Sequence, residues 1–243
     1  LSEGIDWKWE SFPEYLDAIE NMPRVLDVAA QVPHAALRAY VMGERAHEEP
    51  TLDDISRMAQ LAEEGLRAGA VGFSTSRTIL HRSKHGLVPG THALPDELMA
   101  ICDAIGKVGH RVVEMVGDDG PNEARDGWLR EVAERTGATV TYALAQNPGN
   151  PYGFREALTE AAELAEHGLR VVPQVSNRPT GMLFGFRSSL HPFVTHPTYR
   201  ELQHLPFEDR IAALRRPDVR ERLVTEGPGT DKKIALALMT QIG

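Results

Sequence analysis

The chain has 243 residues, 42% hydrophobic and 25% charged, an ordinary balance for a globular fold with one large core or two small ones. A formal net charge of −9 argues against a phosphate-binding surface and so against nucleic acid as a partner. The single cysteine, Cys102, excludes an internal disulfide and a cysteine-rich zinc site, and no apolar run reaches the length of a membrane span.

Without a signal peptide at its start, the chain reads as a soluble cytoplasmic protein. It begins at Leu1 and stops inside an apolar pattern, ALALMTQIG, so a fragment or a processed piece is the expectation. Residues 1–10 form an irregular lead-in. Ser11-Phe12-Pro13-Glu14 then marks a helix start, with a serine cap, a proline in the first turn and an acid near the positive end. This helix runs to about Asn21, and Val25 to Val32 reads as a strand ending at Pro33-His34. After Met42-Gly43 comes a charged loop. Thr51, with Asp54 three residues on, opens the next helix, whose core stripe is Ile55, Met58, Ala62 and Leu66.

Gly69 ends that helix, and the apolar run Ala70-Val71-Gly72-Phe73 suits a buried parallel strand. Three hydroxyls follow it, Ser74, Thr75 and Ser76, then Arg77 and His81. The same pattern recurs. A helix at Pro95–Lys107 buries Leu98, Ile101, Cys102 and Ile105, ends at Gly109 and feeds the strand 111–116. A helix at 123–136 ends at Gly137 and feeds 139–145; one at 153–167 ends at Gly168 and feeds 170–175. Helix, glycine and apolar strand in alternation predict right-handed βαβ units and a parallel sheet. The fold class is therefore α/β, with about five βα units, too few for an eight-stranded barrel.

Polar residues sit at the far ends of these strands, where α/β folds place their chemistry. They are His34 on the first, the three hydroxyls on the second, Glu114 and Asp118 on the third, Gln146 and Asn147 on the fourth, and Gln174 to Arg178 on the fifth. The period of two groups Val112, Glu114 and Val116 on one face. It groups Tyr142, Leu144 and Gln146 on a face of the next strand, and a closed sheet would turn both faces inward. Residues 1–180 make a partial barrel. The stretch 181–243 is loop and short helices, at 199–204, 207–214 and 217–226, belonging to the same barrel domain.

Several segments in this order carry a family resemblance: Trp7-Lys-Trp-Glu-Ser-Phe-Pro-Glu-Tyr-Leu-Asp, His34-Ala-Ala-Leu-Arg38 running into Val41-Met-Gly43, and Gly69-Ala-Val-Gly-Phe-Ser-Thr-Ser76. Together they resemble the N-acyl-D-amino-acid deacylases (D-aminoacylases) of the amidohydrolase superfamily, and the likeness runs weakly on to about Glu226. The resemblance implies a (β/α)8 TIM barrel, incomplete in this chain, with a small β-sandwich built from both chain ends. It implies hydrolysis of a linear amide, the N-acyl bond of a small N-acyl amino acid, by zinc or another divalent metal. Such a metal lowers the pKa of a bound water to about 7 and polarises the carbonyl. The family's ligands include a His-x-His and one histidine on each of two middle strands. No His-x-His occurs in this chain. Where Thr-His-Met-Arg is expected the sequence reads Val113-Glu114-Met115-Val116, and where Ser-His-x-Lys is expected it reads Ala143-Leu144-Ala145-Gln146. Glu114 keeps an oxygen donor and is the one strand-end metal candidate; Leu144 offers none. This chain alone is therefore expected to bind no zinc tightly and to be inactive.

The candidate catalytic residues are Glu114 and His34. Glu114 lies among Val112, Val113 and Val116, where a carboxylate calls for a charged partner: a metal, Arg77 or Arg178. His34 is either a mouth-facing group or a structural hydrogen-bonding histidine. The Arg38 fork suits a substrate carboxylate and equally a salt bridge to a neighbouring helix. Ser76, Arg77, His81, Gln146, Gln174 and Arg178 complete the substrate-binding candidates. His81 opens a stretch to His92 that is either a lid or a solvated connection. Three functions compete: a metal-dependent deacylase, an amidohydrolase with altered metal ligation acting on another, cyclic amide, and a non-catalytic barrel that binds ligand.

Overall fold

The computed structural model describes residues 7–78, 81–83, 86–109, 111–117, 128–146, 150–178, 183–188, 191–227 and 229. In chain order these open with α1 (Phe12–Glu20), β1 (Gln31–Pro33), α2 (His34–Met42), α3 (Leu52–Arg67) and β2 (Gly72–Arg77). A two-residue hairpin, β3 (Arg82–Ser83) and β4 (Gly86–Leu87), precedes α4 (Pro95–Gly106) and β5 (Val112–Gly117). Then come α5 (Trp128–Thr136), β6 (Thr139–Ala143), α6 (Gly153–Glu166) and β7 (Val171–Gln174). Three short helices follow: α7 (Pro197–Leu202), α8 (Phe207–Arg215) and α9 (Pro217–Thr225). Among the described residues, no helix is long and apolar enough to cross a membrane.

Local chemistry starts and stops these elements. Ser11 and Glu14 form a capping box at α1, and Thr51 and Asp54 form one at α3. At Asp54 the backbone and hydroxyl bonds of Thr51 hold the carboxyl below the usual carboxylate range, and Arg45 adds to the effect. The glycines predicted to end helices do so with positive φ: 124° at Gly69, 100° at Gly109, 65° at Gly137 and 77° at Gly168. After α3 the amide of Ala70 reaches back to the Gly65 carbonyl at 3.0 Å and that of Gly69 to Leu66 at 3.2 Å. After α6, Leu169 and Gly168 repeat these bonds at 3.0 and 2.9 Å. The left-handed residue thus closes the helix and turns the chain within two residues.

Five strands form one parallel sheet in the order β1-β2-β5-β6-β7, as the helix–glycine–strand repeat predicts. Val32, Phe73, Val113, Val140 and Val171 lie in register across all five, each at most 4% exposed. This row packs against Met58, Ala62 and Leu66 of α3, Ile101 and Ile105 of α4, and Leu129 and Val132 of α5. Fully burying one such side chain is worth about 1.5–3 kcal/mol.

Several boundaries differ from expectation, among them the helix expected at 199–204, which runs Pro197–Leu202. Strand β1 starts at Gln31, not Val25; Val25 and Leu26 are 99% and 76% exposed and pair with nothing in the sheet. Strand β2 starts two residues late, because Ala70 is still bonded into the end of α3, and so runs through the hydroxyls to Arg77. Helix α2 was not anticipated, since Pro33 before it offers no side-chain cap. The phase of β6 is also corrected. Glu114 registers with Thr141, and Met115 with Tyr142. With Val140 in the core row, Tyr142 must share its face, and Tyr142 and Leu144 are both buried in the helix-side core. Asp118, Asn147, residues 84 and 85 of the stretch from His81 to His92, and the expected start of α5 at Glu123 lie outside the described residues.

The described residues fall into two compact units. The first lies within Leu1–Thr78, Val88–Gln146 and Asn150–Val175 and holds the sheet. The second lies within Ile79–Leu87, Asn147–Gly149 and Ser176–Gly243. In the second, Tyr199, Leu214, Val219 and Leu223 pack with Phe186 and Phe193. Glu226, just past α9, caps α7 by accepting from the Thr198 amide at 2.9 Å and its hydroxyl at 2.7 Å. His191 meets the Tyr199 ring edge-on at 4.3 Å. Burial, with Arg210 and His196 nearby, pushes its pKa down to about 4.

Gly72 has a specific steric reason to be glycine. A Cβ there would lie 2.0 Å from the Val112 carbonyl oxygen of the paired strand, whereas at Gly137 nothing lies within 4 Å and only the left-handed φ is at stake. In the intact protein Gly137→Ala is expected to cost about 1 kcal/mol, and Gly72→Ala at least about 3 kcal/mol because backbone must move. Denaturant unfolding of both checks this; equal losses would show that the β2–β5 approach does not require Gly72.

Candidate functional site

The sheet face opposite the core row carries the polar groups. Registered neighbours share a face, so Ser74, Glu114 and Thr141 stand side by side there, with Gln31, Ser76 and Gln174 on the same side. Glu114 is half-buried, and Gln31 Nε2 donates to its Oε2 at 2.8 Å. The two belong to strands separated by β2. Gln31 spans that gap because its neighbour on β2 is Gly72, which puts no side chain in the way. Two buried atoms beside this pair, Gln31 Oε1 and Thr141 Oγ1, have no hydrogen-bond partner. The charged partner expected for Glu114 is replaced, among the described residues, by this neutral amide; partial exposure leaves the carboxylate enough water to need no ion pair.

His34 and Arg38 are placed elsewhere. His34 opens α2 at 2% exposure, with Nδ1 3.0 Å from Thr75 Oγ1 and Nε2 2.9 Å from Glu97 Oε1. Arg38, one helical turn on, is 4% exposed and donates through Nη1 to both Glu97 oxygens at 2.9 and 2.7 Å. Its Nε donates to the Ala46 carbonyl at 3.0 Å and its Nη2 to that of Glu48. Gly90 seals the cluster, since a Cβ there would lie 2.8 Å from the His34 ring. Hydroxyl, imidazole and carboxylate in this order match the distances of a nucleophilic triad. At 6%, 2% and 1% exposure they have no access to a substrate, and the Glu97 carboxylate is already engaged by Arg38. The arrangement can join α2, β2 and α4; it cannot perform chemistry while buried.

The other candidates are scattered. Ser76 is half-buried on the Glu114 side. Arg77 is one position out of phase, and its Nη1 donates to the Ala93 carbonyl at 2.9 Å. Gln146 lies past the end of β6, exposed, bonded to the Pro151 carbonyl at 3.1 Å. Gln174 is exposed at the end of β7, and His81 and Arg178 are exposed in the second unit. Cys102 is buried in the core, its thiol pushed up to about 12 by burial. Two residues were missed by sequence reasoning. Gln31 gave no signal, because its role depends on the gap at Gly72. Glu97 did: it sits four residues before Ile101 and eight before Ile105, on the buried stripe of α4.

A model of the amidohydrolase family matches residues 3–240. The chain belongs to this family. D-aminoacylase of Alcaligenes xylosoxydans xylosoxydans is 31% identical over 120 residues, which cover 49% of this chain and 23% of that protein. An uncharacterised protein of Mycobacterium tuberculosis (strain ATCC 25618 / H37Rv) is 36% identical over 70 residues, 27% of this chain and 12% of its own. Among solved structures, N-acyl-D-glutamate deacylase from Bordetella bronchiseptica superposes with a TM-score of 0.57 at 24% identity, over 70% of this chain and 34% of that one. A D-aminoacylase structure gives 0.57 at 24%, over 70% and 35%. The structural likeness establishes the fold as a partial (β/α) barrel. The chain spans about a quarter of the curated D-aminoacylase and about a third of the solved chains.

Those amidohydrolase structures involve metal: zinc with a phosphonate inhibitor in the deacylase, a binuclear centre in D-aminoacylase, and copper chloride with a D-aminoacylase variant. Zinc takes imidazole, thiolate or carboxylate, usually three from the protein at a catalytic site. Among the described residues no three His, Cys, Asp or Glu side chains converge. The inner face offers the Glu114 carboxylate, bonded to an amide, and Leu144 lies in the helix-side core. The described residues do not by themselves fit a zinc centre.

If the buried cluster is structural, Glu97→Ala strands the Arg38 charge and should cost the intact protein about 3–5 kcal/mol. Thr75→Val removes one neutral hydrogen bond and should cost about 1 kcal/mol. Denaturant midpoints measure both. Turnover per folded molecule should persist in Thr75→Val; its abolition would mean the triad geometry is catalytic after all.

Proposed function

We propose that this chain supplies strands of a deacylase barrel that hydrolyses the amide of N-acyl-D-amino acids to a carboxylic acid and a free D-amino acid. The observation that carries the reading is the D-aminoacylase match across 49% of the chain, read with a half-buried carboxylate on the inner sheet face. In this reading Glu114 accepts or returns a proton at the reacting amide, with Gln31 fixing the orientation of its carboxylate. Ser74 and Ser76 offer hydroxyls to the bound substrate, with Gln174 a further contact at the end of β7. Gln146 and Arg77 remain candidates for contacts at the mouth, and His81 and Arg178 remain substrate-binding candidates within the second unit. His34 and Arg38 are assigned to holding β2 in place. A zinc or other divalent ion is proposed for the intact protein, where it would supply an activated water; its ligands would have to come largely from outside the described residues.

A second reading is favoured by one observation, the burial of Leu144 in the core at a position where the family pattern has a histidine. That reading is altered metal ligation, with another amide, linear or cyclic, as substrate. Assays of the intact protein separate the two. Hydrolysis of N-acetyl-D-amino acids with little action on the L enantiomers or on cyclic amides is expected, and the converse removes the deacylase reading. Glu114→Gln keeps shape and volume, so the fold should persist while turnover drops at least about a hundredfold. Unchanged turnover in that variant removes Glu114 from the chemistry.

A further inference from the structure

The second unit keeps basic groups inside an aromatic core. His191 and His196 are 3% and 6% exposed. Phe186 and Tyr199 lie 5.2 and 4.3 Å from the His191 ring, and Phe193 lies 5.2 Å from His196. The charged groups that act on His191 are Arg210 of α8 and His196, just before α7, and both oppose a proton on it. Tyr199 is the other titratable group against the ring; burial pushes its phenol up, so it stays neutral. Arg210 donates through Nη1 and Nη2 to the Gln203 and Phe186 carbonyls at 2.9 Å, and its Nε is buried without a partner. Three acids of this unit are engaged elsewhere: Glu226 with Thr198, Glu201 with Arg222 and Glu208 with Arg187.

The Phe193 amide donates to His191 Nδ1 at 3.3 Å, so Nδ1 is bare and Nε2 carries the hydrogen. A second proton has to go to Nδ1, where it would face an N–H and end that bond. It would also place a cation beside Arg210 in an apolar surround, which is costly without a counter-charge. From this we infer that the His191–His196–Arg210 cluster is an acid-released latch: a proton on His191 breaks its bond to the Phe193 amide and loosens the packing of α7, α8 and α9 while the parallel sheet stays folded. The inference is independent of the deacylase reading, which assigns none of these residues to the reaction.

The sign follows from linkage. Burial, then Arg210 and His196, hold His191 at about 4 in the closed cluster, against an ordinary 6.5 when it opens. The open form takes a proton that the closed form refuses. Stability of the closed form is therefore complete above pH 6.5, declines as pH falls, and levels off below about 4.

Hydrogen–deuterium exchange of the intact protein tests the latch, with rates corrected for the chemical pH dependence of exchange. Opening of residues 197–225 is expected to rise about thirtyfold between about pH 7.5 and about pH 5, with a much smaller rise at 98–116. His191→Asn keeps an acceptor near the Nδ1 position and does not titrate, so it should bring the rise at 197–225 close to one. Arg210→Gln removes an opposing charge and should reduce the rise, whatever its basal protection. A rise shared equally by 98–116, one that survives His191→Asn, or none at all overturns the latch. Should His191→Asn fail to fold, Arg210→Gln decides, and an unchanged rise in that variant overturns it as well.

Discussion

One row of five side chains sets the phase of the sheet. Val32, Phe73, Val113, Val140 and Val171 occupy the same height on successive strands and face the helices. A strand has only two faces, so fixing one residue of each fixes all the others. Glu114 faces away from the helices because Val113 cannot. Ser74 and Ser76 stand on the Glu114 side because Phe73 and Thr75 do not. The candidate site is a by-product of core packing as far as orientation goes; which residues occupy those positions is a separate matter.

How much of this was legible in the sequence follows from the range of the forces involved. Caps and helix-ending glycines act within a turn of chain, and Ser11, Thr51, Gly69, Gly109, Gly137 and Gly168 behave as local chemistry predicts. Parallel order followed from alternation alone. The start of β1 did not, because Val25 and Leu26 have the composition of a strand and lack the neighbour that makes one. The phase of β6 was ambiguous locally: Val140, Tyr142 and Leu144 alternate with Thr139, Thr141 and Ala143, and only pairing with β5 tells which set meets the helices.

The candidate residues divide along the same line. Glu114 was legible as a carboxylate in an apolar strand, and the structure places it on the inner face. Its amide partner was not, because Gln31 is 83 positions away and meets it across a missing side chain. His34 and Arg38 were legible as a pair, yet the bonds that hold them run to Glu97, 63 and 59 positions on. The acid on α4 sits where a first-turn carboxylate favours any helix, and that ordinary explanation hid its burial. Its two oxygens receive Arg38 and His34 while the remaining Arg38 donors go to backbone carbonyls, so no charge in the cluster lacks a counterpart.

The reach of Gln31 across Gly72 makes a mechanical linkage out of an edge strand. Strand β1 is three residues long and pairs on one side within this sheet, with Gln31, Val32 and Pro33 in register with Gly72, Phe73 and Ser74. A slip of one residue would exchange Gln31 for Val32 on the inner face, remove the amide from Glu114 and drive an apolar side chain toward the carboxylate. The register of β1 therefore bears on Glu114 through Gln31. The strand of this sheet with the fewest paired positions is the one that supplies the amide to Glu114.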